Sequence, residues 1–323
     1  MKRLPISITT GLMLLFLLSA VSPALMTSAQ TTNTWVVAFY PASYPSGTSS
    51  SSYNRIFVNF TLPWEYVYSS SGYAGFVLTV TVPALYYNAF TNTWTNTSVA
   101  LQVTVDPIDQ GYGQVITYQV WLPNQLVYYT TNSSYPGSTP IPAGAEVEMI
   151  GVSPASNTYN HQASLAVYYI YNGQLYFASD MYFPSTYTDS YGDKLVIPSY
   201  VSFSSNNGGT NPSFAFEGTT NSLPSGTWSI QWTGMQINGK NVLSFNAVAG
   251  DSQATGVGGT ASVPSGLVES GMTLYQGAST FAYFSMGSTS AFNGLSYTQL
   301  SEGQSYQNIQ FLNQETSFVN IPY

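Results

Sequence analysis

The chain of 323 residues carries no cysteine, one histidine, and 13 acidic residues against five basic ones. That excludes disulfides, thiolate metal sites and metal sites built on clustered histidines. So few lysines and arginines also leave no basic patch for a nucleic-acid backbone.

Residues 1–29 read as a secretory signal: Lys2 and Arg3 precede the apolar run 12–18, and Thr27-Ser28-Ala29 supply small residues for cleavage. The run is too short to favour a membrane-spanning helix. The expectation is an extracellular protein whose mature chain has no membrane anchor. Two of the five bases leave with the signal, so three remain against 13 acids. Charged residues are 6% of the chain, against roughly 25% in ordinary globular proteins. Ser, Thr, Asn, Gln and 27 tyrosines stand in their place. Their hydration does not change between about pH 1 and 9, so acid removes few paired carboxylates from such a fold. An acidic exterior is the expected setting.

Residues 30–245 read as one β domain. The runs 56–62, 76–82, 98–105, 115–121, 146–152, 165–171 and 174–183 combine β-branched and aromatic residues with turn boundaries. Val99, Leu101, Val103 and Val105 share one face of their strand. Turns are expected at Pro83, Asp106-Pro107, Pro136-Gly137, residues 142–144 and Asn172-Gly173, the last a hairpin signal. No run shows sustained helical periodicity. The spacing predicts an all-β fold, an antiparallel double-sheet sandwich. Residues 246–323, rich in Gly, Ala and Ser and then weakly β-patterned, read as a linker and a small C-terminal β extension. Asn59, Asn96 and Asn132 head Asn-x-Ser/Thr sequons and are candidate glycosylation sites. Glu146 and Glu148 share a strand face that is expected to meet solvent, and His161 is expected to be a turn residue.

Residues 211–240 are the focus of the chain. In the run 213–217, Phe214 and Phe216 point one way, into a core, and Ser213, Ala215 and Glu217 the other. Small residues thus flank one carboxylate.

Several motifs resemble the glutamic peptidase (eqolisin-type) family, acid-active enzymes with a lectin-like double-sheet sandwich. Val58-Asn59-Phe60-Thr61-Leu62-Pro63 is similar to the family's early strand, and residues 98–106 to its apolar strand leading to an Asp-Gly turn. Pro142-Ala143-Gly144-Ala145-Glu146-Val147 resembles a Pro-Gly-Asp strand opening, Phe214-Ala215-Phe216-Glu217 the strand of the catalytic glutamate, and residues 227–240 the closing strand. The resemblance implies a secreted acid endopeptidase acting on polypeptides without a cofactor or metal. Glu217 would be the general base, and a glutamine amide would donate to the oxyanion without titrating in acid. Gln119 is the best match for that glutamine and Gln114 the second. Thr117 and Trp121 share the face of Gln119 and would line the substrate groove. The chain departs from the pattern at Gln102, where the family has tryptophan, at Pro107, where it has glycine, and in lacking Gln-x-Gly. A fainter similarity to thermopsin-like acid proteases reaches the same reaction class. The alternatives are a cell-surface or filament subunit, with residues 34–40 as a donated strand, and a carbohydrate-binding sandwich using Trp64, Trp94, Trp228 and Trp232.

Overall fold

Long alternating runs pair with their neighbours in sequence. β4 (Ala74–Asn88) and β5 (Thr93–Asp109) make an extended hairpin, continued by β6 (Val115–Leu122) and β7 (Gln125–Thr131). The computed structural model describes residues 34–48, 52–63, 67–68, 74–109, 114–122, 125–131, 140–205, 212–219 and 228–251, with the later segments 273–276, 282–286, 296–299 and 305–310. The signal reading of residues 1–29 and the sequon at Asn132 lie outside them. Among the described residues there is no helix, and the strands form two sheets packed as a β-sandwich.

In the first sheet, β13 (Ser213–Thr219) lies between β4 and β1 (Thr34–Pro41), and β16 (Ser244–Asp251) continues from β1 to β20 (Ser305–Gln310). The pair β11 (Thr186–Thr188) and β12 (Lys194–Val196) extends β4, and β3 (Val67–Tyr68) runs parallel to the end of β5. The second sheet has β2 (Arg55–Thr61) at its centre. On one side follow β8 (Glu146–Val152), β9 (Ser164–Tyr171) and β10 (Gln174–Tyr182). On the other lie β14 (Trp228–Ile237), with β15 (Lys240–Asn241) folded back on it, then β18 (Ala282–Met286), β17 (Thr273–Gln276) and β19 (Ser296–Gln299). The expected boundary at residue 245 therefore falls inside β16, and later strands join both sheets.

The core is aromatic where the sheets meet. Phe76 stacks on Phe60 with centroids 4.3 Å apart and on Phe216 at 4.9 Å, and Phe60 lies 5.2 Å from Phe214. Phe214 and Phe216 point inward as their alternation requires, and Val99, Leu101, Val103 and Val105 are buried beside them.

Two proline turns are corrected. Pro83 sits inside β4, at a level where neither β13 (on Ala74–Thr79) nor β12 (on Leu85–Tyr87) pairs with that strand. A residue without an N–H is tolerated at such a gap. Asp106-Pro107 likewise lies within β5, at a bulge opposite Gly75 that absorbs the proline without ending the strand. Asn172-Gly173 is the expected hairpin turn, both residues having positive φ. β1, expected to be free for donation, is paired on both sides within its own chain, because its alternation places Phe39 in the core. Glu148 does not meet solvent: it is 0% exposed, on an outer face also holding Asn59, whose Nδ2 donates to Glu146 Oε1 at 2.5 Å. Asn59 is 3% exposed, whereas Asn96 is exposed on β5.

Candidate functional site

Strand parity decides which residues of the first sheet face away from the core. Since Phe214, Phe216, Phe76, Leu78, Val103, Val105, Tyr118 and Val120 point inward, the alternate positions form the outer face. The pairing register arranges that face in rows. Ser213, Thr79, Gln102, Gln119 and Tyr129 stand side by side across β13, β4, β5, β6 and β7. Two residues along, Ala215, Val77, Thr104, Thr117 and Thr131 form the next row. A third begins with Glu217 paired to Gly75, and reaches Asp106 and Val115 past the bulge.

Around Glu217 the expected clearing exists in the backbone. Ala38, Val77 and Ala215 form a small apolar cluster on this face, and the register partner of Glu217 on β4 is Gly75. A side chain at Gly75 would be blocked, since its Cβ would stand 1.9 Å from Oδ1 of Asp106 and 3.0 Å from Cγ2 of Thr104. The Asp106 carboxyl thus lies over β4, about one strand spacing (~5 Å) from the Glu217 backbone. Asp106 was hidden in the sequence by its proline, which reads as a turn. The available signal was parity, because it alternates with Gln102 and Thr104.

The register does not bring Gln119 to Glu217. They share the outer face, but three strand spacings and four residues separate them, on the order of 20 Å. An oxyanion donor must stand about 3 Å from the oxygen it serves, and the general base must reach water on the same carbonyl. Gln119 is 0% exposed, and its Oε1 accepts the indole N–H of Trp121 at 2.6 Å, which fixes the half-buried Trp121 ring at that end of the face. Gln114 is on the core side. Its Oε1 accepts from the Ile141 backbone N–H at 2.7 Å and its Nε2 donates to the Ile141 carbonyl at 3.3 Å, so it pins a loop. Gln102, read only as a departure, donates to Thr79 Oγ1 at 3.1 Å on the outer face. Thr117 is 2% exposed and its hydroxyl has no hydrogen-bond partner.

Elsewhere, His161 has positive φ in its turn and lies 4.3 Å from the Tyr200 ring. No cluster of three or more metal-ligating side chains exists among the described residues. Two acids are shifted in opposite senses. The Tyr86 hydroxyl, donating to Asp193 at 2.6 Å, together with the Ala89 N–H, holds the Asp193 carboxyl below its ordinary value, and the same bond pushes Tyr86 up to about 12. Burial pushes Asp180 above its ordinary value.

What fold and site define is a two-sheet β-sandwich with a polar outer face bearing two carboxyl residues. No family model matches the sequence, and no curated protein does. Among solved structures, the chain is similar to scytalido-glutamic peptidase bound to a peptide-based transition state analog, at 16% identity and TM-score 0.34, covering 80% of this chain and 99% of that one. It is similar to SCP-B, an eqolisin-family peptidase in complex with the tripeptide Ala-Ile-His, at 13% identity and TM-score 0.32, covering 79% and 97%. A β-porphyranase from the human gut bacterium Bacteroides plebeius matches at 7% identity and TM-score 0.23, covering 57% and 74%. Superpositions this loose leave the functional reading to the residues themselves.

Proposed function

We propose that this chain is a secreted endopeptidase that hydrolyses polypeptides in an acidic extracellular setting, with Glu217 as general base and no cofactor. The observation that carries the reading is the row Glu217–Gly75–Asp106: a carboxylate position beside a residue without a side chain, with Ala215, Val77, Thr104 and Thr117 on the adjacent row. Glu217 takes a proton from water as the water oxygen bonds to the peptide carbonyl carbon. The proton then passes to the amine as the C–N bond breaks, leaving an acid and an amine. Thr104 and Thr117 lie on the next row, and Trp121, held by Gln119, forms an aromatic wall at the far end. Thr104, Thr117 and Asp106 are buried on this face, so hydrolysis requires that an extended substrate gain access to them. The filament alternative loses its donor strand, because β1 is already paired on both sides.

The test is digestion of denatured protein by the purified chain between about pH 2 and 5. Glu217→Gln keeps size and polarity, removes the titratable group, and is expected to lower the rate at least ~100-fold. A wild-type chain that cleaves nothing in this range refutes the proposal, and activity that survives Glu217→Gln moves the chemistry elsewhere.

A further inference from the structure

Parity and register supply Glu217 with a neighbour that the hydrolytic reading leaves without a role. Asp106 is 3% exposed, and its Oδ1 fills the space where a Cβ of Gly75 would stand. Gly75 is in turn the register partner of Glu217. The missing side chain lets a carboxyl group from β5 lie across β4 toward β13. A second observation on the same face points to a ligand: Thr117, paired with Thr104 one row away, has a buried hydroxyl with no hydrogen-bond partner. An incoming peptide group supplies the partner it lacks.

We infer that Asp106 is the proton-sharing partner of Glu217, a positioning residue that keeps one proton between the two carboxyl groups. Two carboxyl groups that share a proton do not both ionise readily, so such a pair loses its first proton below the usual carboxylate range and its second above it. A singly ionised pair offers a carboxylate at pH 3, where an isolated glutamate with a pKa of about 4.3 is mostly protonated. The departure from the glutamic peptidase pattern then has a chemical sense. With Gln119 on the order of 20 Å from Glu217, the neutral member of the pair is the proton-bearing group beside the base. On this face β13 contributes Glu217, and near its row β1, β4 and β6 contribute no ionisable residue among the described positions. The other ionisable residues near this row are Asp251, register partner of Trp35 on β16, and Tyr68 and Asp109 at the β3–β5 pairing, with Tyr40 four residues along β1 from Val36. The inference rests on the hydrolytic reading for its effect on rate, but not for the titration itself.

The experiment is a 13C NMR titration of carboxyl-labelled full-length chain between about pH 2 and 8, wild type beside Asp106→Asn. The wild-type Glu217 resonance is expected to shift in two steps, and in Asp106→Asn in one. The pH–rate profile should change with it: the wild type bell-shaped, the variant losing ~10-fold at pH 3 as its acid limb moves up by about one unit. A single-step Glu217 titration in the wild type overturns the inference, and needs no variant to fold. Hydrolysis that depends on Glu217 beside such a single step removes the pair but keeps the peptidase. A two-step titration in a chain that cleaves nothing keeps the pair and removes the peptidase.

Discussion

The tightest geometric demand on this face is at Gly75, and it can be tested without any enzyme assay. Alanine there keeps an accessible backbone conformation, since Gly75 is not among the residues with positive φ. The cost is therefore steric. The new methyl would stand 1.9 Å from Asp106 Oδ1 and 3.0 Å from both Asp106 Cγ and Thr104 Cγ2, well inside the 3.5–4.0 Å of a relaxed contact. Asp106 can yield only by turning its carboxyl out of a nearly closed site. Overpacking of this kind costs about 1–3 kcal/mol. For a chain of this size that is a fall in melting midpoint of roughly 2–5 °C. Asp106→Ala removes the obstacle, so Gly75→Ala should cost less in the Asp106→Ala background, with a coupling of about 0.5–3 kcal/mol. Chemical denaturation of the four chains at pH 6 measures it. Gly75→Ala within ~0.5 kcal/mol of wild type, or strict additivity across the cycle, refutes the placement of Asp106 over β4.

Gln119→Ala leaves the Trp121 indole N–H without its acceptor, which should cost about 1–3 kcal/mol of stability. It should change kcat less than ~5-fold, whereas a ~100-fold fall in kcat would restore the oxyanion role expected from the sequence. Asp193 is held below its ordinary pKa of 3.8, so its contribution is present above that value and lost as pH falls through the lowered one. Asp193→Asn should accordingly lower the melting midpoint at pH 6 and leave it unchanged near pH 2. Asp180, pushed up by burial, acts in the opposite sense, contributing in acid and losing that contribution as pH rises through its raised value. With shifts of both signs and few charges, melting midpoints at pH 3 and pH 6 should be close, and a collapse at pH 3 contradicts the acid setting.

The fold was legible because period-two alternation is strong wherever one face of a strand is buried. Val99 to Val105 and Phe214 to Phe216 each gave the right face without any knowledge of their partners. Prolines misled, because their local meaning depends on neighbours that sequence does not display: Pro83 lies at a gap in pairing and Pro107 at a bulge. The face of Glu217 could be read, but not which residues stand beside it, since that is set by register across strands far apart in sequence. Gln119 and Asp106 are both outward by parity, yet only Asp106 shares the row of Glu217. Glu148 shows the remaining limit: an outward position on a sheet need not be wet, and alternation alone does not tell a covered face from an open one.

The position of β1 has a consequence for how this molecule comes into being. Val36 pairs with Glu217 on one side and Gly250 on the other, so the first of the described strands waits about 180 residues for one neighbour and more than 200 for the next. Contacts so remote carry a large loop-closure entropy and delay folding. Until β13 and β16 are synthesised, Thr34–Pro41 is an unsatisfied, largely apolar ribbon, the kind of segment that pairs with other chains. The strand carrying Glu217 cannot be embedded between its neighbours until the two ends of the domain have met. A nascent chain interrupted before residue 244 therefore has an incomplete first sheet, and the outer face that carries Glu217 is not held on both sides of β1 until β16 has been made.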